Sequence, residues 1–68
     1  MNKNLLESKM KLHGDTQGKL ANGIGISVQR INAKINETGG AEFTQGEIQK
    51  IKKLYNLTND EVTAIFFE

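Results

Sequence analysis

TQGKLANGIGISVQRINAKIN, residues 16 to 36, reads as two short helices joined by a tight turn, with the rest of the chain arranged to hold them. Thr16 is a good N-cap, and the helix behind it turns Leu20 and Ala21 inward. This helix is expected to run out at Asn22, because Gly23 and Gly25 fall where helix propensity collapses. Ser27 is a second N-cap, and Ile26 and Ile31 stand at the spacing of a hydrophobic staple, so the next helix has a defined start.

Each residue of that second helix turns about 100° from the last, which puts Ile31 and Ile35 on one side and Gln29 and Ala33 on the other. Arg30, Asn32 and Asn36 flank the outer face, and Val28 lies at its border with the buried stripe. Amide side chains both donate and accept hydrogen bonds. A base edge in the DNA major groove offers the matching pattern: Gln pairs bidentately with adenine, Arg pairs with guanine or phosphate, and Val28 and Ala33 suit a thymine methyl. The expected base contacts are Val28, Gln29 and Ala33, with Arg30, Asn32 and Asn36 as secondary candidates.

In this stretch Gln17, Leu20, Ala21, Gly25, Ile26, Ser27 and Ile31 stand at a spacing that resembles the helix-turn-helix of lambda-repressor-like proteins, among them phage Cro proteins and repressors. The motif covers about a third of the chain, and the remaining helix order and length agree with that fold. The resemblance implies a second helix lying in the major groove and a DNA contact from Gln17 at the opening of the first. Gln17, Ser27, Lys19 and Lys34 are expected near phosphates. Relatives usually carry an apolar residue where this chain has Lys34, and Ile35 is expected to take that place. Gly18 has two readings: it permits close backbone approach to the next helix or to DNA, or it is simply tolerated at a cost of about 1 kcal/mol relative to Ala.

Sixty-eight residues make a single domain, 1–68, and a chain this short buries only about 60% of its unfolded surface. With no Cys and one His, neither disulfides nor zinc can staple it, so no metal and no cofactor are expected. No apolar run approaches the roughly 20 residues of a membrane span, and MNKNLLESKMKLHG is too polar for a signal peptide, which gives a soluble, cytoplasmic reading with no membrane partner. Net charge is only +1, but its distribution is uneven. Residues 1 to 36 hold six Lys and Arg against two acids; residues 37 to 68 hold three against six. The basic half is the half with the two-helix motif, which orients the domain toward phosphates.

The first helix is expected over residues 4 to 12, with Asn4 and Glu7 at capping-box spacing, Leu5, Leu6 and Met10 inward, and Gly14 as the stop. His13 then has a cap or surface role. ETGGAE, residues 37 to 42, lacks periodicity and reads as a loop. Thr44 and Glu47 form a capping box, with Phe43 and Ile48 as its staple, and predict a helix from Gln45 to Tyr55 that buries Ile48, Ile51, Leu54 and Tyr55. Thr58 with Glu61, and Leu57 with Val62, repeat the device and open a last helix to Phe66. Nothing alternates with period two, so the fold class is all-α, a compact bundle of five short helices with the helix-turn-helix at helices 2 and 3. Val62, Ile65 and Phe66 share one face, from which Phe67 points about 100° away. Phe67 either folds over the core or forms a dimer interface.

These residues and the resemblance together lead to a sequence-specific double-stranded DNA-binding regulator, a phage Cro-like repressor acting by operator occlusion. Its expected partners are an approximately palindromic operator and a second copy, in a weak homodimer completed on DNA. No catalytic residue is expected, because no nucleophile, base and orienting group combine plausibly. The competing reading, supported by the near-neutral total charge and the acidic loop, is a protein-interaction module or antirepressor that keeps the helix-turn-helix fold.

Overall fold

Side-chain caps divide the chain into helices. In the computed structural model, which describes residues 1–67, Asn2, Thr16, Ser27, Thr44 and Thr58 each accept the backbone N–H three residues ahead. The helices that follow are α1 (Lys3–Leu12), α2 (Gln17–Ile24), α3 (Val28–Asn36), α4 (Gln45–Tyr55) and α5 (Asn59–Phe66). Among the described residues there is no strand, so the fold is all-helical. Each cap satisfies an N–H that has no partner within its helix, a contribution of about 1 kcal/mol apiece. Both reciprocal capping boxes, Thr44 with Glu47 and Thr58 with Glu61, are formed as the spacing predicts.

Helix α1 starts earlier than expected. The cap is Asn2, whose Oδ1 accepts the Leu5 N–H at 3.0 Å, and not Asn4. Asn2 is held there because its own N–H donates to the Ile65 carbonyl at 2.6 Å, a tie to α5 that no local pattern reveals. Helix α2 also runs two residues further than expected, through Gly23 to Ile24, which is 2% exposed. Gly23 is tolerated in the helix because Leu54 packs over it, so closely that a Cβ there would lie 3.2 Å from Leu54 Cδ2. The stop is Gly25, with φ +77°; it and Ile26 both donate to the Ala21 carbonyl. Only glycine takes that left-handed conformation without steric cost, and no crowding explains it, since nothing lies within 4 Å of a Cβ built there.

One core joins all five helices: Leu6 and Met10 of α1, Leu20, Ala21 and Ile24 of α2, Ile31 and Ile35 of α3, Ile51 and Tyr55 of α4, and Leu57 and Ile65 at α5. Leu5, Ile26, Phe43, Val62 and Phe66 pack against its margin. Leu54, expected inside, is 44% exposed, displaced to the rim by its place over Gly23. The 37–42 loop contains a single 3-10 turn, Thr38–Gly40. Helix α1 packs on α5, α2 on α3 and α4, and α4 on α5. His13, exposed at the end of α1, stacks its ring on Tyr55 with centroids 4.6 Å apart, while the Tyr55 hydroxyl donates to Asp15 Oδ2 at 2.6 Å. Burial and then the Asp15 carboxylate push the Tyr55 phenol up from its ordinary value. Among the described residues no helix is long and apolar enough to cross a membrane.

Two carboxylates join distant helices and make the fold acid-sensitive. Glu61 accepts from the Lys9 ammonium and from the Thr58 N–H, which bring its carboxyl from 4.5 down to about 2. Burial pushes Glu47 up, but the Lys34 ammonium and the Thr44 N–H outweigh it and hold the group below 4.5. Both groups are lower in the folded than in the unfolded chain. Their stabilisation is therefore complete above pH 4.5 and is lost as pH falls toward 2. The thermal midpoint should be flat from neutrality to about pH 5 and drop below that. Glu61→Gln should shallow the drop; a midpoint unchanged down to pH 2 would refute the two ties.

Candidate nucleic-acid interface

The exposed side of α3 is set by what its other side buries. Ile31 and Ile35 are 0% and 1% exposed, which turns Gln29, Arg30, Asn32 and Asn36 to solvent, leaves Ala33 half-buried between them, and exposes Val28 by about half. Ser27 Oγ accepts the Arg30 N–H at 3.2 Å and fixes where the helix starts. Gln29, Arg30, Asn32 and Asn36 thus lie outward as the helical face predicts, whereas Ala33, expected opposite the isoleucines, is half-buried.

Their side chains are not equally available. Asn32 Nδ2 donates to Gln17 Oε1 at 3.1 Å, joining the opening of α2 to the middle of α3. Asn36 Nδ2 donates to the Asn32 carbonyl at 3.0 Å, and its Oδ1 accepts the Lys3 ammonium at 2.6 Å. Among the described residues, Gln29 and Arg30 have no side-chain hydrogen bond within the protein, so their full donor and acceptor sets face outward. Gln17 is half-buried at the head of α2, beside exposed Gly18 and Lys19. The Lys19 ammonium rests 3.4 Å from the Gly14 carbonyl. A Cβ at Gly18 would meet Thr16 and Val28 only at ordinary contact distances, 3.7 and 3.8 Å, so packing against α3 does not require glycine there.

No protein-family model, no curated protein and no solved structure matches this chain.

Lys34 is the correction among the sequence-derived contacts. It does not reach outward to phosphate: it is 7% exposed, and its Nζ donates to Glu47 Oε1 at 2.5 Å. The stripe that α3 buries is thus Ile31, Lys34 and Ile35, and the position where an apolar residue was expected is indeed inward, filled by a lysine stem with a paired head. Glu47, 8% exposed, was read only as a capping residue. Lys9 is likewise tied to Glu61, so part of the positive charge of the first half is neutralised inside the fold. Of the sequence-derived contact residues, Lys19 and Arg30 are the cations left beside the outer face, and the Lys3 ammonium on Asn36 stands at its end.

Phe67 is 58% exposed, so it does not fold over the core. It caps the end of α5 and lies at the edge of a cleft of about 210 Å³ whose lining includes Lys34, Glu37, Glu42, Phe43 and Phe66. Phe66 goes inward instead, edge-on to Phe43 with ring centroids 5.6 Å apart. Among the described residues no three His, Cys, Asp or Glu side chains come together as a metal site.

Proposed function

We propose that this chain is a sequence-specific double-stranded DNA-binding regulator of the lambda-repressor-like helix-turn-helix type, a phage Cro-like repressor that works by occluding an operator. The observation that carries this reading is the outer face of α3. Gln29 and Arg30 project from a capped helix with no internal hydrogen bonds among the described residues, the two side-chain types that read adenine and guanine bidentately. Gln17, Ser27 and Lys19 stand where they would meet phosphates on either side.

Selection of a binding site from a randomised duplex pool, followed by a salt titration of the selected site, tests the proposal. Lys19 and Arg30 would neutralise roughly two phosphates per copy, so log K should fall with log salt at about −0.9 per phosphate, roughly −4 for two copies. No enriched sequence together with a slope near zero would refute it. That outcome would favour the protein-interaction reading, which the internal pairing of Lys9 and Lys34 supports.

A single short helix meets too few base edges for selective occupancy of a genome, so two copies would act on an approximate inverted repeat, with their α3 helices about 34 Å apart. Phe67, exposed beside its cleft, is the proposed contact of this weak homodimer. Phe67→Ala should leave the helical circular dichroism intact and remove about 1 to 2 kcal/mol of cooperative free energy from operator binding. Unfolding of the variant, or unchanged cooperativity, would take Phe67 out of the interface.

A further inference from the structure

Helix α3 is seated by Ile31 and Ile35, which are apolar and fully buried. Such contacts fix which side of the helix is buried but, being non-directional, leave its finer rotation about the axis to directional bonds. Two of these, Asn32 to Gln17 and Lys3 to Asn36, are exposed to water; the buried one comes from Lys34. Among the described residues, its 2.5 Å bond to Glu47 Oε1 is the one side-chain hydrogen bond between α3 and α4. The acceptor is itself immobilised: the same oxygen takes the Thr44 N–H at 2.8 Å, while Thr44 Oγ1 takes the Glu47 N–H at 3.2 Å. Lys34 thus fastens α3 to the capping box that starts α4.

We propose that Lys34 is a positioning residue: its buried pair with Glu47 sets the roll of α3, and through it decides which base edges Gln29 and Arg30 can meet. This rests on the DNA-binding reading. Outer atoms of a helix lie about 5 Å from its axis, so a roll of about 20° displaces them by about 2 Å. Hydrogen bonds weaken steeply over such a displacement. Protonating Glu47 alone costs stability because it leaves the buried ammonium without its counter-charge, but exchanging both members together need not. Two charges removed from water regain little net free energy, and replacing both by neutral groups of similar shape is often neutral or favourable, whereas their directionality can specify one arrangement.

The test is the double variant Lys34→Met with Glu47→Gln, which keeps the buried volume and, through the glutamine, the capping box. Its thermal midpoint should stay within about 5 °C of the parent. Residual dipolar couplings should show α3 rotated relative to α4. Preference for the site selected by the parent over a scrambled duplex should fall by about tenfold, the loss of one bidentate base contact. The salt slope should not change, because neither side chain faces phosphate. Unchanged α3 orientation overturns the proposal, as does a rotated α3 with full sequence preference. If the parent prefers no DNA sequence yet α3 rotates in the variant, the DNA-binding reading fails while Lys34 still positions α3. Lys34→Met alone, which leaves Glu47 in its capping box with the Thr44 N–H, is the second variant should the first not fold; there too, unchanged orientation and preference overturn the proposal.

Discussion

Ile31→Ala should lower the unfolding free energy by about 2 to 5 kcal/mol, the range for emptying a fully buried aliphatic site. Ile31 is 0% exposed and belongs to the core cluster to which all five helices contribute, so its truncation leaves a cavity in that core. A chain of this length has a total stability of about 3 to 10 kcal/mol. The loss is therefore a large share of the whole, and a considerable fraction of the variant should be unfolded at 37 °C. Urea titration measures it, with the slope expected to stay that of the parent. A cost below about 1 kcal/mol, typical of a surface substitution, would mean that α3 does not seat on this side and that its outer face has been assigned wrongly.

Gln29→Ala should cost about 1 to 3 kcal/mol on the selected duplex and relax preference at one base pair per half-site, while binding to scrambled DNA barely changes. The reasoning is one of availability. Gln29 is exposed and, among the described residues, its side chain has no hydrogen bond inside the protein, so its truncation would remove contacts to the proposed DNA and none to the fold. Competition gel shifts on the selected and scrambled duplexes give both numbers in one experiment. Equal losses on the two would mean that Gln29 reads no base. The contrast with Ile31→Ala separates the two sides of one helix: one variant should lose the fold, the other only discrimination.

What could be read from the sequence was whatever depends on neighbours within about one turn. Thr44 with Glu47 and Thr58 with Glu61 are capping boxes in the structure because both partners sit three residues apart. Thr16 and Ser27 cap α2 and α3 for the same reason. The errors arose where a distant group intervened. Asn4 looked like a cap by spacing, but the Ile65 carbonyl fixes Asn2 and moves the start. Leu54 fitted the periodicity of the α4 core stripe, yet the missing side chain of Gly23 offers it a place at the rim. Lys34, expected near phosphate, is inside, where a lysine is rarely found without a partner. Its partner lies thirteen residues away in a motif already explained by its local cap. A carboxylate in a capping box has oxygen capacity to spare, and a cation one position from Ile35, on the side that Ile31 buries, is the signal that could have joined the two. The placement of Gln29, Arg30, Asn32 and Asn36 outside was legible, because 100° per residue and two buried isoleucines determine it. Which of them are free was not, since the Gln17 and Lys3 partners of Asn32 and Asn36 come from other helices.

That division among the outer side chains bears on how such a protein can change over generations. Asn32 and Asn36 are mortised into the frame, one bonded to α2 and the other held from α1. Exchanging Gln29 or Arg30 breaks no bond within the fold, and exposed substitutions of this kind typically shift stability by less than about 0.5 kcal/mol. Mutations at these two sites are thus nearly invisible to selection on folding, while under the proposed DNA-binding reading each would redirect what the helix recognises. On that reading a lineage of such proteins would diverge in preference one residue at a time without passing through an unstable ancestor.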